Sequence, residues 1–142
     1  ELHRDSTFLT VEINKKFVDH LNQKYPKVNH VHADIYNLKN ILSEHGIESA
    51  DIIISGIPFV GFKKEECEKF FIEIQQIMTK NSRLILFTYS PIRFNQYFKY
   101  FEKVSIDYVL LNIPPAFVVS LKKKQWLNPL NSSLLQLSFY FL

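Results

Sequence analysis

Three polar residues close three strand-like runs in this chain, and they are the residues best placed for chemistry. Glu12 ends the run from Thr7, Asp34 ends the run from Val28, and Ser55 ends Asp51-Ile52-Ile53-Ile54. If the runs are parallel strands, all three groups line one edge of a sheet, where open α/β sheets bind their ligands. A carboxylate at the end of the second strand of a nucleotide-binding half accepts from ribose hydroxyls. An aspartate on the next strand can accept from an exocyclic amine such as adenine N6. The set points to an adenosine-containing ligand. Acids also end strands simply as caps of the helices that follow, and spacing alone leaves both readings open. The loop Ser55-Gly56-Ile57-Pro58-Phe59 adds a rigid element. Pro58 lacks a donor and holds Ile57 extended, so a backbone carbonyl and an aromatic ring can grip a planar, nitrogen-bearing group. A strand followed by an ordinary turn is the simpler reading of the same residues.

Other candidates carry less. His30 and His32 share one side of a strand, as paired ligands do, but catalytic zinc takes three protein ligands and no third is in view. No metal site is expected. Cys67 lies among Glu65, Glu66 and Glu68, which disfavours a thiolate, and packing is its better reading. Ser90 has no G-x-S-x-G frame. The single cysteine excludes a disulfide framework. The net charge of +3 is too small to argue for nucleic acid. No apolar run reaches the roughly 18 residues of a membrane span, and no leader opens the sequence, so a cytoplasmic protein is expected.

The elements that must position these residues follow from hydrophobic periodicity. With 142 residues and 46% hydrophobic content, the chain is long and apolar enough for a real core. Thr7–Ile13 reads as a strand, then Asn14 caps an amphipathic helix with Phe17, Val18, Leu21 and Tyr25 on one stripe. Pro26 stops it. Val28–Ile35 is a second strand, and Asn37–His45 a short helix ended by Gly46. Asp51–Ile54 reads as a strand buried on both faces. Lys64–Thr79 is the clearest helix, with Cys67, Phe70, Phe71, Ile74, Ile77 and Met78 on one face. Arg83–Tyr89 is another strand, closed by Ser90-Pro91, and Ile92–Phe101 a helix. Val104–Asn112 and Phe117–Leu121 form an antiparallel pair around Asn112-Ile113-Pro114-Pro115-Ala116. The expected class is α/β, with a mostly parallel sheet finished by a hairpin. Residues 1–124 form the expected domain; the apolar tail Gln125–Leu142 has no clear periodicity.

A nucleotide-binding half of this kind needs a glycine-rich turn about 20 residues before its acid. Eleven residues precede Glu12, and none is glycine. Glu1-Leu2-His3 then reads as the last turn of the helix after such a loop. The chain is expected to begin downstream of the motif, and the sheet to lack its first strand and helix. The strand expected to be lacking is the middle one of the sheet.

The pattern resembles the class I S-adenosylmethionine-dependent methyltransferases, and within them the bacterial phospholipid N-methyltransferases, relatives of the ribosomal RNA adenine dimethylases. The resemblance spans Glu1 to about Lys124. It rests on Val11-Glu12-Ile13-Asn14, His32-Ala33-Asp34, Ile54-Ser55-Gly56-Ile57-Pro58-Phe59, Leu86-Phe87-Thr88-Tyr89-Ser90-Pro91 and Asn112-Ile113-Pro114-Pro115-Ala116. The Asn-x-Pro-Pro-Ala turn favours the phospholipid branch. The adenine dimethylases show Asn-Leu-Pro-Tyr where this chain has Gly-Ile-Pro-Phe.

The resemblance implies S-adenosylmethionine as cofactor, with Glu12 and Ile13 at the ribose and Asp34 and Ile35 at the adenine. Ser55, Gly56, Ile57, Pro58 and Phe59 would border the methyl group and the acceptor nitrogen, with Tyr89 and Asn112 beside the acceptor. It implies a Rossmann-like monomer that methylates a phospholipid amine, such as that of phosphatidylethanolamine, at a membrane surface. A base-methylating enzyme and an inactive remnant are the alternatives. Lys122-Lys123-Lys124-Gln125-Trp126 is a basic-aromatic cluster able to touch anionic lipid, although a solvated strand end is the simpler reading.

Overall fold

The computed structural model describes residues 6–124. These residues fall into two compact units, and the chain passes between them more than once. One unit takes residues up to Ser49 together with Lys63–Ile77, and the other takes Ala50–Phe62 and the chain from Met78 onward.

In the first unit, β1 (Leu9–Glu12) and β2 (Asn29–His32) pair in parallel, with Glu12 opposite His32. Between them runs α1 (Lys15–Lys24), capped by Asn14, whose side chain accepts from the Lys16 amide at 3.0 Å. The expected apolar stripe is only partly covered. Val18 is buried, whereas Phe17 is 59% and Tyr25 48% exposed, because a two-stranded sheet is too narrow to cover a whole helix face. A 3₁₀ turn (Ile35–Asn37) leads into α2 (Leu38–Glu44). Gly46 ends α2 at φ +70°, and the amides of Gly46 and Ile47 close back on Ser43 and Leu42. A side chain would be strained there. The helix α3 (Lys64–Ile77) buries Cys67, Phe70, Phe71, Ile74 and Ile77, the face its periodicity dictates. At its start Glu66 accepts from the Lys63 amide at 2.7 Å, one half of a capping box.

In the second unit, β3 (Ala50–Ser55), β4 (Met78–Thr88), β5 (Phe101–Val109) and β6 (Ala116–Lys123) form one sheet in the order β3-β4-β6-β5. β3 and β4 are parallel, and β6 runs antiparallel to both its neighbours. Leu84, Leu86, Val119 and Leu121 are fully buried and share one face, because Leu84 pairs with Leu121 and Leu86 with Val119. α4 (Phe94–Tyr100) lays Phe94 edge-on against Phe117 at 5.5 Å.

Two strand readings need correction. β3 is not buried on both faces: Ile52 is 61% and Ile54 72% exposed, and only Ser55 of the strand is buried. The reason is position. Among the described residues β3 pairs with β4 alone, so it is an edge strand of its sheet and its side chains have fewer neighbours to cover them. β4 also starts earlier than expected, at Met78 rather than Arg83. Its polar stretch is stitched to β3 by Ser82, whose hydroxyl donates to the Ala50 carbonyl at 2.6 Å and accepts from the Thr79 amide at 2.8 Å. That side chain satisfies the backbone where the register shifts between Ala50 and Ile52. The tail Gln125–Leu142 lies outside the described residues.

Candidate functional site

Each unit gathers its own share of the expected residues at the carboxyl ends of its parallel strands. In the first unit Glu12 ends β1, and the Ala33 amide donates to its carbonyl at 3.2 Å. That bond brings Asp34, just past β2, beside it. The Glu12 carboxylate accepts from the Asn14 amide at 2.7 Å, and Asp34 accepts from the Tyr36 amide at 3.0 Å. Both acids therefore do the capping work that their position allows. A carboxylate offers two oxygens and about four lone-pair sites, so one amide bond leaves acceptor capacity for a ligand. Ile13 is 66% exposed next to Glu12, and Ile35 begins the 3₁₀ turn after Asp34.

His30 and His32 are tied into this unit. His30 Nε2 donates to the Tyr25 carbonyl at 3.2 Å, which leaves Nδ1 to accept from the Thr10 hydroxyl at 2.7 Å. His32 Nε2 donates to the Ile13 carbonyl at 3.0 Å. A carbonyl can only accept, which fixes these tautomers. Both imidazoles thus hold β2 to its surroundings.

Tyr36 follows Asp34 and has its phenol pushed above the ordinary value of 10.0, by burial first and then by the carboxylates of Glu66 and Asp34 and by Cys67. The neutral phenol is favoured in the folded state, so its contribution is present below the unfolded pKa and lost as pH rises through the folded one. An ultraviolet difference titration of the protein against Tyr36→Phe is expected to place this phenolate above pH 10. A phenolate appearing at or below the free value would contradict the packing. The cleft that Tyr36 lines with Lys69, Ile72 and Glu73 holds about 190 Å³, below the roughly 300–1,000 Å³ of ligand sites.

In the second unit, Ser55 ends β3 opposite Leu86, and Thr88 ends β4 opposite Phe117. Ser55 is buried, and its hydroxyl accepts weakly from the Ile57 amide at 3.4 Å. Gly56 and Pro58 are exposed. The ring of Phe59 turns inward: it is 2% exposed and packs on Tyr97 and Phe62, each at 6.0 Å. The ring offered at this end is Tyr89, 54% exposed and edge-on to Phe87 at 4.9 Å. Asn112 sits in the β5–β6 turn at the same end and donates its amide to the Pro114 carbonyl at 2.8 Å.

Sequence reasoning missed two features here. Arg93 clamps the loop after β3 to the loop after β4, donating to the Phe62 carbonyl at 2.7 Å and to Gln96 Oε1 at 3.2 Å. Its only signal is a lone cation just after Ser90-Pro91. The second is the apolar β5–β6 tip, where Leu111 and Ile113 are each 96% exposed. The lysine cluster lies at the opposite end of this sheet, since Lys122 pairs with Arg83 at the amino end of the buried part of β4. Lys122 bonds Glu102 at 3.0 Å, and Lys123 donates to the Met78 carbonyl at 2.7 Å. Both are strand-end residues with protein partners; Gln125 and Trp126 lie outside the described residues.

No family model matches the chain. The ornithine lipid N-methyltransferase of Singulisphaera acidiphila is 26% identical over 119 residues, which are 81% of this chain and 62% of that protein. The chain therefore spans less than two thirds of that relative. Among solved structures, TrmN from Thermus thermophilus matches 86% of this chain and 38% of its own, with a TM-score of 0.66 and 14% identity. The magnesium protoporphyrin IX methyltransferase of Synechocystis, solved with bound S-adenosylmethionine, matches 84% of this chain and 60% of its own, with a TM-score of 0.61 and 13% identity.

Proposed function

We propose that this chain, whose fold is the Rossmann-like α/β fold of the class I S-adenosylmethionine-dependent methyltransferases, belongs to an enzyme that methylates the amine of a lipid headgroup. The observation that carries the reading is the pair of acids, Glu12 and Asp34, closing adjacent parallel strands at one edge. That is where this fold meets the ribose and base of an adenosine ligand. The lipid acceptor rests on the relative whose name joins a lipid to N-methylation and on the Asn112-to-Ala116 turn.

The roles follow from chemistry. Glu12, with Ile13 beside it, accepts from the ribose hydroxyls, and Asp34, with Ile35, accepts from the adenine amine. S-adenosylmethionine supplies an electrophilic methyl. The Ser55-to-Phe59 loop borders that methyl and the incoming nitrogen through its backbone, with the buried Phe59 ring fixing the loop from below. Tyr89 and Asn112 face the acceptor. The amine must be neutral to attack, and its proton can leave to water once the bond has formed. Alignment and water exclusion are then the main contribution of the protein. The acceptor proposed is the amine of a lipid headgroup, such as that of phosphatidylethanolamine.

Calorimetric titration of S-adenosylmethionine into the purified chain, and into a version extended at its amino end by a glycine-rich strand, loop and helix, tests the reading. Binding by either is expected, accompanied by a rise in melting temperature. Heat signals indistinguishable from dilution in both would end it.

A further inference from the structure

We propose that the β5–β6 hairpin tip, Leu110 to Pro115, inserts into a lipid bilayer surface and docks the carboxyl end of the four-stranded sheet on it. This deepens the lipid-amine reading above and rests on it for its meaning, though not for its test. Leu110 is 69% exposed, and Leu111 and Ile113 are each 96% exposed. They cluster on a projecting loop rather than in a groove. Single exposed leucines need no explanation, but a contiguous exposed apolar tip does.

The chemistry of the tip suits lipid. Residues 108–121 contain no Asp, Glu, Lys, Arg or His. The first charge below the tip is Asp107, which pairs with Val118, two rungs beneath the closing pair Val109–Ala116. Two rungs are about 7 Å of strand, comparable to the 5–10 Å that interfacial elements bury. One rung beneath that closing pair, Tyr108 lies against Phe117 at 4.8 Å and is 53% exposed, which is where aromatic rings sit at headgroup level. Pro114 and Pro115 carry no amide hydrogen, and the Pro114 carbonyl is taken by the Asn112 amide. The backbone cost of leaving water is reduced accordingly. A protein partner would demand roughly one hydrogen bond per 100–200 Å², and Asn112 is the tip's single polar side chain.

The same hairpin end carries the acceptor loops. Thr88 pairs with Phe117 and Ser55 with Leu86, so the tip, Tyr89 and the Ser55 loop project from one end of the sheet. Ile92, 75% exposed after β4, extends the apolar rim. Lys122 and Lys123, at the opposite end, are bonded to protein groups. Docking is therefore apolar rather than electrostatic, and does not need anionic lipid.

Flotation of the purified chain with vesicles of phosphatidylcholine and phosphatidylethanolamine tests this. The chain is expected to float with the vesicles, at low and high salt alike. The double variant Leu111→Asp, Ile113→Asp is expected to lose partitioning by roughly tenfold or more. Its circular dichroism and melting should be unchanged, since both side chains already face water. Leu111→Cys, labelled with an environment-sensitive dye, should shift to the blue on vesicle addition; Cys67 is fully buried and should not label. Absence of wild-type binding, equal partitioning of the double variant, an unshifted dye, or loss of binding at high salt would each overturn the proposal. None of these readouts needs cofactor, so failure of the S-adenosylmethionine titration sinks the methyltransferase reading and leaves the lipid result standing.

Discussion

Phe71→Ala is expected to remove about 3–5 kcal/mol of stability, a large share of the roughly 5–15 kcal/mol that holds a typical domain together. Phe71 is fully buried on α3 and lies 5.8 Å from the ring of Phe70. Deleting the ring forfeits its transfer energy and leaves a cavity that rigid neighbours fill only in part. Denaturant unfolding followed by circular dichroism would read the loss as a lower midpoint or as the disappearance of a cooperative transition. Ile72→Ala is the matched control. Ile72 is the next residue on the same helix but is 49% exposed, and its truncation should cost far less. Equal effects from the two variants would mean that α3 buries a different face.

Glu12→Ala is expected to weaken S-adenosylmethionine binding by about 1–3 kcal/mol, because two ribose hydroxyls would lose a charged acceptor. The residue has a second task, accepting from the Asn14 amide at the entrance to α1, and the test must separate the two. Glu12→Gln keeps an oxygen for that amide but removes the charge. If Glu12 binds ribose, Gln should also weaken the cofactor while leaving the melting temperature of the unliganded protein near wild type. If Glu12 only caps the turn, Gln should behave as wild type in calorimetry and Ala should fail in stability alone. Unchanged affinity in both variants would remove Glu12 from the site.

Much of the fold was legible because burial imposes periodicity. The α3 stripe was read from Cys67 to Ile77, with Met78 opening β4 instead of extending it; the stop at Gly46 follows from the one backbone conformation that excludes side chains, and the antiparallel hairpin follows from two β-rich runs around a double proline. The failures have a common cause. Asp51–Ile54 looks like a strand buried on both faces because it is almost continuously apolar, and composition cannot report that Ile52 and Ile54 are left exposed on an edge strand. Thr79 reads as the end of a helix and Lys80 to Ser82 as a connection, since the hydrogen bond from Ser82 to Ala50 that ties them into β4 is made across 32 positions. The acids at Glu12 and Asp34 were legible as strand ends, but their amide bonds are local geometry that no spacing encodes. Phe59 was legible as an aromatic in the loop, yet the direction of its ring depends on Tyr97, far along the chain.

The passage of the chain from one compact unit to the other and back has a consequence for biosynthesis. β3 belongs to the second unit but is translated before α3, which completes the first. Ile53 finds its partner Leu84 only after 31 further residues have been added, a wait on the order of seconds at about 5–20 residues per second. During that interval Ile52, Ile53 and Ile54 leave the ribosome as an apolar ribbon with no strand on either flank. Nascent-chain binders that recognise short aliphatic stretches would meet this segment first, and the arrival of β4 would release it from them on one flank only.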